Sequence, residues 1–231
     1  MQYIIILKQA LKKKNVKFLK YDLSKILPSK IISSKIDILI HLAGPRADRK
    51  SMDNNNAILK SLLIDKNIID FAIKKKISTF FFASSAGVYN ITKTSFEEKK
   101  LPISLNSDGI YGLNKLIREK MICNSLNKTK IIICRFFSIY GRQSNTIINH
   151  WKKKIQKNEN VSIWGDGNTQ RSWLHIDDVI NGIKKMLIIK HNKIFFNLGS
   201  SEKLSLTKTF HLIKNKYPKS KSKIVFNKSI L

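Results

Sequence analysis

The sequence predicts an α/β protein built on a doubly wound, mostly parallel sheet, with a smaller C-terminal lobe beside it. Short, nearly continuous apolar runs such as "IDILIHLA" and "KIIICRFF" suit strands buried on both faces. Helix-length segments separate these runs, so strands and helices alternate as a parallel sheet with crossover helices requires. After about Gly141 the elements shorten, which marks a change of architecture.

Taken in order, "VKFLKY" (Val16–Tyr21) reads as a strand and "IDILIHLA" (Ile36–Ala43) as a second. A long helix is expected over Asn55–Lys76, then a strand over Thr79–Ser84, "TFFFAS". A helix over Asp108–Leu126 precedes the strand Lys130–Phe137. A helix near Ile147–Lys157 follows, then "VSIWGDGNTQRSWLHIDDV", which reads as a turn with two short strands. A helix from Ile176 to about Ile189, a strand in "KIFFNLGS" and a helix from about Leu206 complete the pattern. The expected division is a sheet domain over residues 1–145 and a smaller lobe over 146–231.

Composition narrows the class. With 42% hydrophobic residues in a chain of 231, one sizeable core is expected. No apolar run approaches the ~20 residues of a membrane helix. The opening "MQYIIILK" has neither a basic flank before its apolar patch nor a small-residue cleavage site after it, so no secretion signal is predicted. Two cysteines, Cys123 and Cys134, read as buried small hydrophobes in a reducing, cytoplasmic setting. The net charge of +29 would draw anionic small molecules. Only six of the 44 basic residues are arginine, and the lysines are spread along the chain, which argues against specific nucleic-acid reading. The five histidines show no metal-ligand spacing, so no metal site is expected.

The stretch "YGLNK" places Tyr111 and Lys115 four residues apart, on one face of a helix. A tyrosine hydroxyl titrates near ~10 alone, and a neighbouring ammonium lowers that by stabilising the phenolate. Such a tyrosine can take a proton from an alcohol while hydride leaves the carbon beneath. Ser84 and Ser85 end the strand in "FASSAGVY", where ligands of doubly wound sheets bind.

Together these segments resemble the NAD-dependent epimerase/dehydratase family, the extended short-chain dehydrogenases that act on nucleotide sugars. The resemblance runs in order through "YDLS", "IHLAG", "FASSAGVY", "YGLNK", "RFFSIYG" and "GDGNTQRSWLHIDDV", over roughly residues 15–200. It implies a Rossmann-like fold, NAD as cofactor, a nucleotide-sugar substrate and a possible homodimer through the Tyr111 helix and its predecessor. Carried over by position, Tyr111 is the general acid/base, Lys115 its tuning partner, and Ser85 the hydroxyl that relays protons. Asp22 and Leu23 would lie by the adenine, and Leu42, Ala43, Gly44, Ser61, Ser84 and Phe136 elsewhere along the cofactor. Ser138 and Arg171 would meet the nucleotide sugar, and Asp178 would cap the helix after it. Ala86 and Gly87 replace the Asp-Glu pair of the 4,6-dehydratases, so the pattern is most similar to UDP-sugar 4-epimerases.

Departures from the family pattern set the alternatives. The first of the nine glycines is Gly44, so no glycine-rich turn stands ahead of "YDLS" and the first βαβ unit is expected to be missing. A chain without that turn would hold NAD poorly. Ser61 stands where the family pattern Asn-x-x-Gly-Thr has its Asn, and Ser138 replaces the Asn of "R-x-F-N-x-Y-G". Two further readings stay open: a truncated or non-catalytic relative that binds nucleotide sugar or pairs with an intact paralogue, and a basic RNA-binding protein on the same scaffold.

Overall fold

The structure, a computed structural model, describes residues 19–28, 35–44, 55–89, 109–142 and 144–227. Four parallel strands form the main sheet: β1 (Ile38–His41), β2 (Thr79–Ser85), β3 (Lys130–Phe136) and β8 (Lys193–Leu198), in the order β1-β2-β3-β8. Their side chains alternate between the two faces of the sheet. Phe80, Phe82, Ile131 and Ile133 point to one face, where they meet Ile68, Ile69 and Ala72 of helix α1 (Asn55–Lys74) and Ile122 of α2 (Gly109–Ser125). Phe81, Ile132 and Cys134 point to the other, against Met186 of α4 (Ile176–Ile188). Burial on both faces is the reason β2 and β3 read as unbroken apolar runs, whereas Ile38 and Ile40 of β1 are 45% and 46% exposed.

The predicted elements of this sheet recur within a few residues of their expected bounds. The strand expected at Val16–Tyr21 is the exception. Residues 16–18 lie outside the described residues, and 19–21 form no strand. Instead Tyr21 enters a turn in which Asp22 Oδ1 accepts hydrogen bonds from Ser24 N at 3.0 Å and Ser24 Oγ at 2.7 Å. An aspartate that serves its own backbone two residues on favours a turn over a ladder.

The C-terminal stretch has its own core. Trp151 and Ile155 of α3 (Ile147–Gln156), Val161 and Ile163 of β5 (Val161–Trp164) and Phe210 of α5 (Leu206–Lys214) pack together. Strand β5 pairs in parallel with β10 (Ile224–Asn227). The signature stretch yields β6 (Gln170–Arg171) and β7 (Trp173–His175) besides β5, so it holds three strands where two were expected. Strand β7 pairs with β4 (Ser138–Tyr140), and β6 with β9 (Leu204–Ser205). After α4 the chain returns to the main sheet, where β8 pairs with β3.

The cap of α4 differs from expectation. His175 Nδ1 accepts from Asp177 N at 3.3 Å, so His175 is the N-cap. Asp178 lies in the first turn with Asp177, where a carboxylate favours the helix dipole without capping it.

Candidate active site

Helix α2 is the origin of the site. Its inward positions recur every three or four residues: Asn114, Lys115, Arg118, Glu119 and Ile122, all buried. Four of these five are polar, so a helix that should bury an apolar stripe buries charge. Each of the charged residues finds partners on the sheet or on α1.

Lys115 Nζ donates to the carbonyl of Ala83 on β2 at 2.7 Å and sits 5.1 Å from the Phe82 ring centroid. The Tyr111 ring lies on the same side, with its centroid 5.9 Å from Lys115 Nζ. Burial first, and the repulsion of Arg118 second, push the Lys115 ammonium down to about 7. At the end of β2, Ser85 caps the 3-10 turn Ala86–Val88 by accepting from Gly87 N at 3.1 Å. That bond uses the hydroxyl oxygen as acceptor and leaves its proton for another group.

Ser84 points the other way. Its hydroxyl donates to Glu119, which in turn holds Arg135 by a two-point pair: Nε to Oε1 at 3.0 Å and Nη2 to Oε2 at 2.7 Å. Arg135 Nη1 donates to Tyr89 Oη at 2.9 Å, and Tyr89 donates to Asn197 Oδ1 at 2.7 Å. Ser84 thus serves the packing between sheet and helix. Ser61 is likewise engaged, exchanging hydrogen bonds with Asn114 across the α1–α2 contact.

A second cluster was not predicted. Asp65 of α1 receives Arg118 Nε at 2.5 Å and Nη2 at 2.7 Å, and meets His41 Nε2 of β1 at 2.7 Å. Burial would raise the Asp65 carboxyl, but the hydrogen bonds from His41 and Arg118 hold it below its ordinary value. Arg118 Nη2 also donates to the Ala43 carbonyl at 2.8 Å. Gly44 follows with φ +151°, a conformation that favours glycine. A Cβ there would lie 2.3 Å from Arg118 Nη1, so the guanidinium occupies the space of the missing side chain. Nη1 itself is buried and has no hydrogen-bond partner among the described residues.

The structure therefore brings Ser85, Tyr111, Lys115 and the Ala43–Gly44 turn to the carboxyl ends of β1 and β2. The other predicted residues make the following contacts. Asp22 is exposed, with Lys60 Nζ 3.8 Å from its carboxylate, and Leu23 packs into the main core. Leu42 is exposed, and Phe136 packs beside Phe81 at a ring distance of 6.3 Å. Ser138 N donates to Ser172 O at 3.2 Å, which places Ser138 next to the ribbon that carries the exposed Arg171. Donor chemistry suits a dinucleotide at the turn: Lys115, when protonated, has two further protons to offer, and beneath the turn Arg118 Nη1 is a buried donor without a partner among the described residues.

The family profile described as "NAD dependent epimerase/dehydratase family" matches residues 6–199. An uncharacterised protein of Methanocaldococcus jannaschii is 31% identical over 223 residues, covering 92% of this chain and 67% of its own length. The ADP-L-glycero-D-manno-heptose-6-epimerase of Brachyspira hyodysenteriae is 28% identical over 206 residues, with 83% of this chain and 62% of the relative covered. The chain thus spans about two thirds of the length of these curated relatives. Among solved structures, the UDP-glucuronic acid 4-epimerase of Bacillus cereus, in complex with UDP-glucuronic acid and NAD, superposes with a TM-score of 0.85. It is 24% identical, and the match covers 97% of this chain and 72% of that one. The profile match extends over most of the sequence and includes every segment that carries Ser85, Tyr111 and Lys115; this chain belongs to the NAD-dependent epimerase/dehydratase family.

Proposed function

We propose that the chain acts on a nucleotide sugar, most similarly to a UDP-sugar 4-epimerase, by moving a proton and a hydride at one sugar carbon. The observation that carries this reading is the convergence of Ser85, Tyr111 and Lys115 at the end of β2, with Lys115 fixed by the Ala83 carbonyl. Tyr111 exchanges the proton of the sugar hydroxyl at its own phenolic oxygen. The Lys115 ammonium, when protonated, stabilises the phenolate. Ser85 offers its remaining proton to the sugar oxygen. NAD, when bound, supplies the hydride acceptor and donor; Lys115 and the Leu42–Gly44 turn are the groups that would hold it. Arg171, exposed on β6, suits the substrate diphosphate because its planar fork pairs two oxygens at once.

Two measurements test this. Calorimetric titration should show saturable NAD binding, and turnover of a UDP-sugar should be lost in Tyr111→Phe while its circular dichroism matches the parent protein. Retained turnover in that variant would remove Tyr111 from its role. A second reading, a relative that binds nucleotide sugar without turning it over, is favoured by Arg118 filling the space at Gly44. Saturable UDP-sugar binding with no NAD binding selects it.

The same reading includes a homodimer through α1 and α2. Leu59 and Leu63 on α1, and Ile110, Leu113 and Ile117 on α2, form outward apolar stripes 40–64% exposed. Light scattering after size exclusion should give a dimer mass, and Leu63→Asp with Leu113→Asp a monomer. A monomeric parent protein would reject the interface.

A further inference from the structure

Two cations share one aromatic ring beneath the site. Lys115 Nζ lies 5.1 Å and Arg118 Cζ 5.0 Å from the centroid of Phe82. Both residues are buried, at 7% and 0% exposure, and they stand three positions apart on α2. One carboxylate, Asp65, is close to the pair, and Arg118 takes it with two nitrogens. Lys115 donates to the neutral Ala83 carbonyl.

We propose that Arg118 is a positioning residue that sets whether Lys115 carries its proton and that anchors the Ala43–Gly44 turn beside it. The proposal rests on reading Lys115 as the partner of Tyr111, since only then does its charge matter for chemistry. The geometry gives Arg118 both tasks with one guanidinium. Nε and Nη2 are spent on Asp65, and Nη2 reaches on to the Ala43 carbonyl, so the turn and the charge are held by the same group. His41, on β1, closes the cluster through Asp65.

Asp65 and Glu119 both attract the Lys115 proton, but each is paired with an arginine, and Tyr111, its ring centroid 5.9 Å from Nζ, is the other titratable group that faces Lys115. Glu119, on the same helix, is committed to Arg135 of β3, and Asp65 of α1 to Arg118. From β2 the neighbours are the Phe82 ring and the Ala83 carbonyl, both neutral. The excess positive charge therefore falls on Lys115, the cation without a carboxylate of its own, and it is Lys115 that yields its proton first. Repulsion from Arg118 is the largest influence on it after burial, larger than the attraction of Asp65 or Glu119. An anion arriving at the turn, such as the diphosphate of a dinucleotide, would offset Arg118 and return the proton to Lys115.

The test is a pH titration of ligand-free protein labelled with 15N-lysine, following the Nζ signal that disappears in Lys115→Met. In the parent protein that signal should titrate near neutral pH. In Arg118→Gln its midpoint should rise by about one unit, a tenfold tighter proton. Arg118→Lys, which keeps the charge, should leave it low. A residue that was merely structural would not separate those two variants. Should Arg118→Gln fail to fold, Asp65→Asn/Arg118→Gln removes the buried pair together. There the midpoint should still exceed that of the parent, by less, because the repulsion removed outweighs the attraction. A midpoint unchanged in the variant that folds, or an ordinary lysine midpoint in the parent, overturns the proposal. NAD titration of the parent protein is run separately. Absent NAD binding with a shifted Lys115 would leave this proposal standing and remove the catalytic reading.

Discussion

Replacing Arg135 by methionine is expected to lower the free energy of unfolding by about 3–5 kcal/mol, the usual cost of leaving one member of a buried ion pair without its partner. Arg135 is 1% exposed and Glu119 2%, and two parallel hydrogen bonds join them. The effect extends beyond the pair because Glu119 also receives the Ser84 hydroxyl, and Arg135 also holds Tyr89, which holds Asn197. One network therefore joins α2, β2, β3, β8 and the turn after Ser85. Removing both charges with Glu119→Met/Arg135→Met should cost less than either single change, since no charge is then stranded in the core. Urea titration monitored by tryptophan fluorescence measures all three variants. A single variant within ~0.5 kcal/mol of the parent would show that water reaches the pair and that its burial is not maintained in solution.

That network explains which parts of the site were legible in the sequence. Strands β2 and β3 announce themselves because most of their residues are buried, and α1 and α2 because their lengths and apolar spacing suit helices. The resemblance located Ser85, Tyr111 and Lys115, and the structure gathers them. The sequence-based reading of Ser84 as a cofactor contact could not anticipate Glu119, which lies 35 residues away and takes its hydroxyl. Asp65 and Arg118 are separated by 53 residues, and His41 and Arg118 by 77; no local pattern joins them. One signal was available. Arg118 and Glu119 follow Lys115 at three and four positions, so a helix that aims Lys115 inward must aim both of them inward as well. Strands β4, β9 and β10 escaped notice because each is only two to four residues long and is made by its distant partner.

Lys115 makes the second large prediction, in stability against pH. Its ammonium ordinarily titrates at 10.5, and in the folded protein burial and Arg118 lower this to about 7. Between those values the unfolded chain binds more protons than the folded one. Stability from this residue therefore rises with pH across that window, by at most about 1.4 kcal/mol per unit. Below it both states are protonated and the folded state bears the full cost of a buried ammonium. From pH 7 to pH 9 the gain is about 2 kcal/mol after allowing for a half-protonated start. Burial raises the thiols Cys123 and Cys134, the latter to about 12, so their contribution falls above the ordinary thiol value and opposes the trend. Comparison with Lys115→Met cancels them, because both proteins carry both thiols. The variant should be the more stable protein at pH 7, and its advantage should shrink by about 2 kcal/mol by pH 9; parallel curves would show that Lys115 is not held near neutrality. In the function proposed above Tyr111 needs the opposite condition, since only a protonated Lys115 can support its phenolate. Turnover should therefore decline through the same pH range in which the fold gains stability. Such opposed slopes are the signature expected of a charge kept in the core for chemistry at the expense of the fold.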